Sequence, residues 1–519
     1  MSGLVDLSRE ALLAHVLAQE ARFAAVMSAH ERLISAHEEL FVAHEQLTSA
    51  HEDLKGRYDQ LEAKVAKLEH LLSRNSGNSS MPPSSDDQPG KTPPKGKGQA
   101  TPKRARGKQK GSPGANLSWN DAPDDEQNRF PEGACECGAG LAAARDLGVV
   151  DSFQQIEIPQ VKATVTQYNQ HAVLCGCGRT QTASRPEGAG TGKVEYGPVL
   201  QAWAVYLMVV HHIPTHRCRQ LLTAVTGAEP STGFVHGLLA RAGQVLREAD
   251  RRIRALITVA TVVCMDETPL RVGPKTPRPG RKKADKYLLI ACTTLYTHFL
   301  LGDRDLETFK KSVLADVADG TTVVHDRYTV YDHETFNKIV HQLCTAHLLR
   351  DLAAAGETYP EAIWPAQIAD ALRALIHATN LARADGHDQI DADERAKHLH
   401  LLRQGVLVGL SATTSHGDRP GENKARLLLE AFRDREDDIV RFVDDLTVPP
   451  TSNDAERGLR PSKIQQKISG RLTSIARTED RYRILGYVTT AAQHGLDRFT
   501  VLLDSFLGRI WLPGTATVT

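Results

Sequence analysis

Two aspartates and a glutamate stand where chemistry on a phosphodiester could be done. Asp266 is the first acid after the β-branched run LITVATVVCM, and Asp326 is the first after TTVVH. Strand ends are where an α/β sheet presents ligand-binding groups, so neighbouring strands would send both carboxylates into one crevice. A third acid, on a helix crossing that edge, would complete a three-carboxylate site for hard divalent cations. Two Mg²⁺ ions about 3.5–4 Å apart in such a site activate an attacking oxygen and stabilise the leaving one. No nucleophilic side chain is required, since water or a DNA 3′-hydroxyl attacks. No G-x-x-x-x-G-K-[ST] loop occurs, which leaves nucleotide hydrolysis unsupported. Either Asp alone is better read as a turn residue or helix cap. The order strand-Asp, strand, strand, helix, strand-Asp, insertion, helix-Glu is far more informative.

The third acid is Glu456, in TSNDAERGLRP at 451–461. Asn453 three residues earlier fits a capping arrangement, with the glutamate reaching back to a free N–H. A helix starting at Thr451 or Ser452 instead puts Glu456 past that reach and frees it to face the crevice. Arg460, Lys463 and Lys467 follow at +4, +7 and +11 and share its helix face. Such a cationic stripe is what a phosphate backbone needs, although Lys467 also fits a plain solvated surface. Two acids compete for a place. Glu267 points to the opposite strand face from Asp266, and Asp454 lies about 200° around the helix from Glu456.

The elements that must position these acids follow from pattern. KYLLIACTTLYTHFLLGD reads as two strands, LETFKKSVLADVAD as an amphipathic helix, and 333–447 as largely helical, with strand character beginning at about residue 255. Pro449 and Pro450 break the chain before the glutamate, and helices follow to about 508. Residues 196–248 read as three helices. PTHRCRQLLTAVTG and STGFVHGLLARAGQVL within them fit a helix–turn–helix with Arg217, Arg219 and His236 as DNA contacts, although helical hairpins that bind nothing are common.

Upstream, Cys135-x-Cys137-Gly and Cys175-x-Cys177-Gly flank the strand-like FQQIEIPQVKATVTQY, pointing to a four-thiolate zinc ribbon with spacing tighter than the usual knuckle. Between Lys91 and Lys110 there are eight Lys or Arg and no acid, inside a Ser/Pro/Gly-rich linker. That block, with Lys103, Arg104 and Arg106, either tracks DNA phosphates or only solubilises a linker. Residues 8–73 carry leucine at 33, 40, 47, 54, 61 and 68, a strict heptad seam. Its second column is either Ala36, Ala43 and Ala50 or His30, His37, His44 and His51, so the zipper is expected to be weak.

Bulk properties set the class. At 519 residues the chain holds about three or four domains. The formal net charge of +0 hides the basic block, so it does not exclude a polyanionic partner. The start, MSGLVDLSRE, has no secretory pattern, and the longest apolar run, Ala202–Val210, is too short to span a bilayer. Eight cysteines, four of them clustered, do not suit an oxidised scaffold, which leaves an intracellular reading.

The whole order resembles the insertion-sequence-66 family of bacterial transposases, with a ribonuclease H-like core and a DDE triad. The matching stretches are the zipper, RNSGNSSMPPSSD at 74–86, the cysteine pairs, DETPLRV at 266–272, HDRYTVY at 325–331, CTAHLLRDL at 344–352 and SNDAERGLRP at 452–461. The resemblance implies that Asp266, Asp326 and Glu456 bind Mg²⁺ or Mn²⁺, and that Cys344 and His347 position the active-site helix rather than bind zinc. Arg457 joins Arg460, Lys463 and Lys467 as an expected DNA contact.

The implied architecture is a multidomain α/β chain. It runs as a coiled coil (8–73), a flexible basic linker (74–130), a Cys-pair zinc-binding-like module (131–190) and a helix-turn-helix domain (196–250). A ribonuclease H-like core follows in two parts (255–350 and 449–508), interrupted by an all-helical insertion (351–448). The expected activity is strand cleavage and strand transfer on element terminal repeats. The expected setting is the bacterial cytoplasm, as a homo-oligomer alongside the small accessory proteins such elements encode. A DNA-binding regulator without catalysis, and a metal nuclease that cleaves without joining, are the competing functions. The leucine seam is tested by Leu47→Pro, which is expected to reduce the protein's size in solution by chromatography with light scattering; an unchanged size removes the coiled coil.

Overall fold

A computed structural model of the chain describes residues 8–75, 117–158, 161–277, 286–414 and 421–514. The basic block, with Lys103, Arg104 and Arg106, and residues 76–86 of the Ser/Pro motif lie outside the described residues. Helix α1 (Arg9–Ser73) is a single uninterrupted helix whose Ser8 cap accepts from the Ala11 N–H. Its six heptad leucines are 59–70% exposed, so a single chain leaves the seam unburied.

Between 117 and 196 regular structure is sparse. The described part of FQQIEIPQVKATVTQY forms no strand, and the expected β module reduces to β1 (Ala172–Leu174) paired antiparallel with β2 (Thr180–Thr182). β-Branched content alone made no strand here because no apolar layer covers it: Val149, Phe153, Ile156, Ile158 and Val165 are all exposed.

The three helices expected over 196–248 are α2 (Pro198–Val209), α3 (Thr215–Thr226) and α4 (Thr232–Val245), and a further helix, α5 (Arg247–Thr258), follows them. Pro198 starts α2, Gly227 in the left-handed region ends α3, and the Ser231 side chain caps α4. Helix α5 overrides the expected strand onset at about 255. Ala249, Ile253 and Ile257 recur at i, i+4 and i+8 and bury one helical face, so the apolar residues before Val259 belong to helix rather than strand.

The central sheet comprises β3 (Val262–Leu270), β4 (Lys286–Cys292) and β5 (Thr297–Gly302). The expected long helix at LETFKKSVLADVAD is only α6 (Leu306–Phe309) and a 3₁₀ turn at Val313–Ala315. The Ser312 side chain accepts from the Leu314 N–H and caps a new turn where the helix would have continued. Strand β6 (Thr322–His325) and strand β7 (Val340–Leu343) complete the sheet. β7 falls where helix was expected. Four residues are too few to show a period, and only pairing with β6 makes them a strand. Strand order is β5-β4-β3-β6-β7, antiparallel from β3 to β5 and parallel from β3 through β6 to β7.

Helices complete the chain: α7 (Thr345–Thr358), α8 (Trp364–Ala384), α9 (Ala392–Ala412), α10 (Glu422–Asp434), α11 (Glu436–Asp444), α12 (Asn453–Ser469), α13 (Ile475–Gln493) and α14 (Arg498–Phe506). The chain divides into two units. One comprises Met1–Pro94 with His347–Glu436, the other Lys95–Ala346 with Asp437–Thr519. In the first, α8 and α9 pack so closely that a Cβ on Gly405 would stand 2.8 Å from Ile368. In the second, α12 and α13 cover one sheet face, and the Thr490 hydroxyl accepts from the Thr297 N–H of β5 at 3.0 Å. No helix among the described residues is long and apolar enough to cross a membrane.

Leu459 is the large apolar residue by which α12 is anchored, at 1% exposure. Leu459→Ala is expected to cost about 2–4 kcal/mol through lost transfer and a residual cavity. Denaturant titration checks this; a change below about 1 kcal/mol would mean α12 is not packed as described.

Candidate active site on the central sheet

Pairing of β3 with β6 sets the level of the two aspartates. Val262 opposes Thr322, Val263 opposes Val323 and Cys264 opposes Val324, in parallel. Asp266 and Asp326 each lie two residues beyond the last pair and so stand at one level, but only Asp326 follows a strand end: β3 runs on to Leu270 because β4 continues to pair with it, which leaves Asp266 in mid-strand. The Asp326 carboxylate is further fixed by the Tyr328 N–H, which donates to Oδ1 at 2.9 Å.

Helix α12 lies along β3, on the same face as Asp266. Asp266 opposes Ile290 across the antiparallel β3–β4 pair, so the two side chains share that face. A Cβ on Gly458 would stand 2.3 Å from Ile290 Cδ1, a closeness that glycine allows. Further on, Gln466 donates to the Pro269 carbonyl at 3.3 Å and accepts from the Arg271 N–H at 3.2 Å. Near the helix start, burial pushes the Cys264 and Cys292 thiols up, and the Asp454 charge adds to it. Asp454 and Gly458 therefore mark the β4 flank. Glu456, with Arg460, Lys463 and Lys467, occupies the other flank by helical periodicity.

The helix start also bears on the capping role of Glu456. Ser452 is the N-cap and makes no side-chain capping bond, so Ala455 takes the third helical position and Glu456 the fourth. The capping-box geometry does not form. Three bonds tie the segment before the helix to the residues that follow β7. The Ser452 N–H donates to Cys344 Sγ at 3.3 Å, and Thr345 donates from its N–H and its hydroxyl to the Pro450 carbonyl at 3.0 and 2.8 Å. His347 lies two residues further along α7, half-buried.

One group was invisible in the sequence. Arg304, in the loop after β5, donates from Nε to Glu267 Oε1 at 2.7 Å, and Nη2 lies 2.6 Å from the same oxygen. Its Nη2 also reaches Asp326 Oδ2, but at 3.4 Å, and its guanidinium lies 3.9 Å from the Tyr328 ring centroid. The Glu267 side chain is 2% exposed. Burial, followed by the charges of Asp326 and Asp266, pushes the Glu267 carboxyl up, while Arg304 opposes. Tyr331 donates to Glu267 Oε2 at 3.4 Å and stacks on the buried His325 ring. GDRD after a strand is an ordinary charged loop, so spacing held no signal for this cluster.

The donor chemistry suits a hard cation, because Mg²⁺ is commonly held by one or two carboxylates and keeps positions for water and phosphate. Among the described residues, however, no three His, Cys, Asp or Glu side chains are gathered into a metal-ready cluster. The thiols behave likewise. Cys135 and Cys175 sit in matching turns, each accepting a backbone N–H two residues on (from Cys137 and Cys177), which holds the thiol below its ordinary value. All four cysteines are exposed, and the pairs are not brought together as the expected ribbon requires. The remaining cations are peripheral: Arg217, His236, Arg457, Arg460, Lys463 and Lys467 are exposed and Arg219 half-buried. Asp454 is largely exposed and lies 3.8 Å from Arg457.

Comparison with known proteins gives the family. No curated protein matches the chain. Two solved structures are similar to it at 11% identity. The crystal structure of the Mos1 strand transfer complex covers 51% of this chain and 82% of that one at a TM-score of 0.11. The Mos1 transposase paired-end complex with left transposon end covers 50% and 81% at 0.10. Scores this low carry no argument. A family of unknown function (DUF6444) matches residues 28–118. The model of the transposase IS66 family matches residues 193–479, more than half of the chain. This chain belongs to the IS66 family of transposases.

Proposed function

We propose that this transposase cleaves and joins DNA strands at element ends through a DDE triad of Asp266, Asp326 and Glu456. The observation that carries the reading is the matched level of Asp266 and Asp326 on adjacent parallel strands, with α12 lying on Asp266's face. The sheet, an antiparallel meander extended by two parallel strands, supports a ribonuclease H-like core. When bound, Mg²⁺ or Mn²⁺ supplies charge neutralisation at the reacting phosphate and lowers the pKa of the attacking hydroxyl. Asp266 and Asp326 hold the cation from the sheet, and Glu456 closes the site from the helix. Arg457, Arg460, Lys463 and Lys467 line the exposed side of that helix, where they position the DNA backbone without reading bases. Cys344 fixes the start of the helix through its bond to the Ser452 N–H. Arg217, Arg219 and His236 on the α3–α4 hairpin, with Lys103, Arg104 and Arg106 of the linker, add contacts to DNA. The leucine seam of α1 pairs protomers.

The triad is tested with DNA carrying the element's terminal repeats and Mg²⁺ or Mn²⁺. Wild type is expected to cleave and join. Asp266→Ala, Asp326→Ala and Glu456→Ala are each expected to lose about 10³-fold or more, the scale of removing a principal electrostatic group. Full activity in Glu456→Ala with loss in Asp454→Ala would replace the third acid. Cleavage without joining would make the protein a nuclease, and DNA binding without either, a regulator.

For the cysteines we propose one zinc that would draw together the separate pairs Cys135/Cys137 and Cys175/Cys177, on the strength of two matching turns, each closed by a glycine N–H on the first cysteine's carbonyl. Elemental analysis is expected to find about one zinc per chain, the stoichiometry of a four-thiolate site. Zinc-free protein, or an unchanged content in Cys135→Ser/Cys177→Ser, removes the site.

A further inference from the structure

The Arg304 contacts are unequal, and the inequality has a consequence for metal binding. Glu267 Oε1 receives two donors at 2.6–2.7 Å, whereas Asp326 receives one at 3.4 Å. The loop carrying Arg304 is pinned on both sides. Lys286 Nζ lies 2.9 Å from both Asp303 carboxylate oxygens, the Asp303 N–H donates to the Thr308 hydroxyl, and Asp305 caps α6. Tyr328 takes the guanidinium against its ring while its hydroxyl donates to the Arg304 carbonyl at 3.0 Å. The arginine is therefore delivered to the mouth of the acidic pair by a rigid frame, and only its terminal fork has a choice of carboxylate.

We propose that Glu267 is a positioning residue that seats Arg304 away from Asp326, leaving the Asp326 carboxylate open to a divalent cation. This rests on the triad reading in taking Asp326 as a metal ligand. Guanidinium and Mg²⁺ compete for the same oxygens, and a fork engaged fully with Asp326 would be bidentate and hard to displace. Occupying that fork at Glu267 Oε1 reduces the competing contact to one long bond. The Glu267 oxygen can accept both donors whether or not Oε2 carries a proton, because both go to Oε1. The Glu267 oxygens are engaged in this seating, Oε1 by the two Arg304 donors and Oε2 by the Tyr331 hydroxyl.

The test is a titration of the full chain with Mn²⁺ alone, following free ion by electron paramagnetic resonance, with thermal melts alongside. Wild type is expected to bind Mn²⁺, and Asp326→Asn to lose that binding. Glu267→Met is expected to weaken binding about tenfold, within the range of disturbed ligand-orienting partners. Glu267→Met/Arg304→Met is expected to return to within about twofold of wild type, because it also removes the guanidinium that would otherwise turn onto Asp326. A merely structural pair would not show that restoration of affinity. Should Glu267→Met not fold, Glu267→Gln carries the same expectation with a smaller shift. Unchanged affinity in the folded single variant, a double variant as weak as the single, or Mn²⁺ binding indifferent to Asp326→Asn each overturns the proposal. Normal Mn²⁺ behaviour in a protein that neither cleaves nor joins DNA would sink the transposition reading and leave this one standing.

Discussion

Parallel pairing of β3 with β6 is the constraint on which the site depends. The two strands are separated in sequence by the β4–β5 meander, α6 and a run of tight turns, yet their register is fixed by three consecutive pairs. A slip of one residue would turn Asp266 to the other face and uncouple it from Asp326. Burial makes that slip costly, since Val263, Cys264, Met265, Val323 and Val324 are all buried. The meander on one edge and β7 on the other keep these two strands central, so the acids emerge from the most protected part of the sheet.

The second requirement is a helix close enough to face that part of the sheet. Gly458 gives α12 its approach to Ile290, while Gln466 fastens the far end to the backbone at Pro269 and Arg271. The near end is fastened by a thiol and a threonine just after β7. The strand that pairs with β6, next to Asp326, thereby sets where the glutamate helix begins. Short connections of this kind suit a site whose groups must hold position against the pull of a cation.

Around the acids the structure balances charge instead of simply accumulating it. Burial and the charges of Asp326 and Asp266 raise the cost of ionising Glu267, and Arg304 is the cation set between Glu267 and Asp326. Tyr328 and Tyr331 complete the cluster from the HDRYTVY segment, so that motif contributes a frame as well as an acid.

The sequence by itself determined the β4–β5 meander, the helical run after β7, the candidacy of Asp266, Asp326 and Glu456, and the leucine seam of α1. Those features are local: they are set by β-branched runs, heptad spacing and proline punctuation, which need no partner to be recognised. Where local pattern met tertiary demand it failed. The run 255–258 joined α5 because its apolar residues fit a helical face, LETFKKSVLADVAD broke into turns, β7 appeared only through pairing, and the stretch at 153–168 made no strand without a covering layer. Tertiary structure alone decided the common level of Asp266 and Asp326, the fourth-position placement of Glu456, and the seating of Arg304 on Glu267. Each of these depends on residues tens to hundreds of positions apart, and no periodicity within one segment encodes a distance between segments.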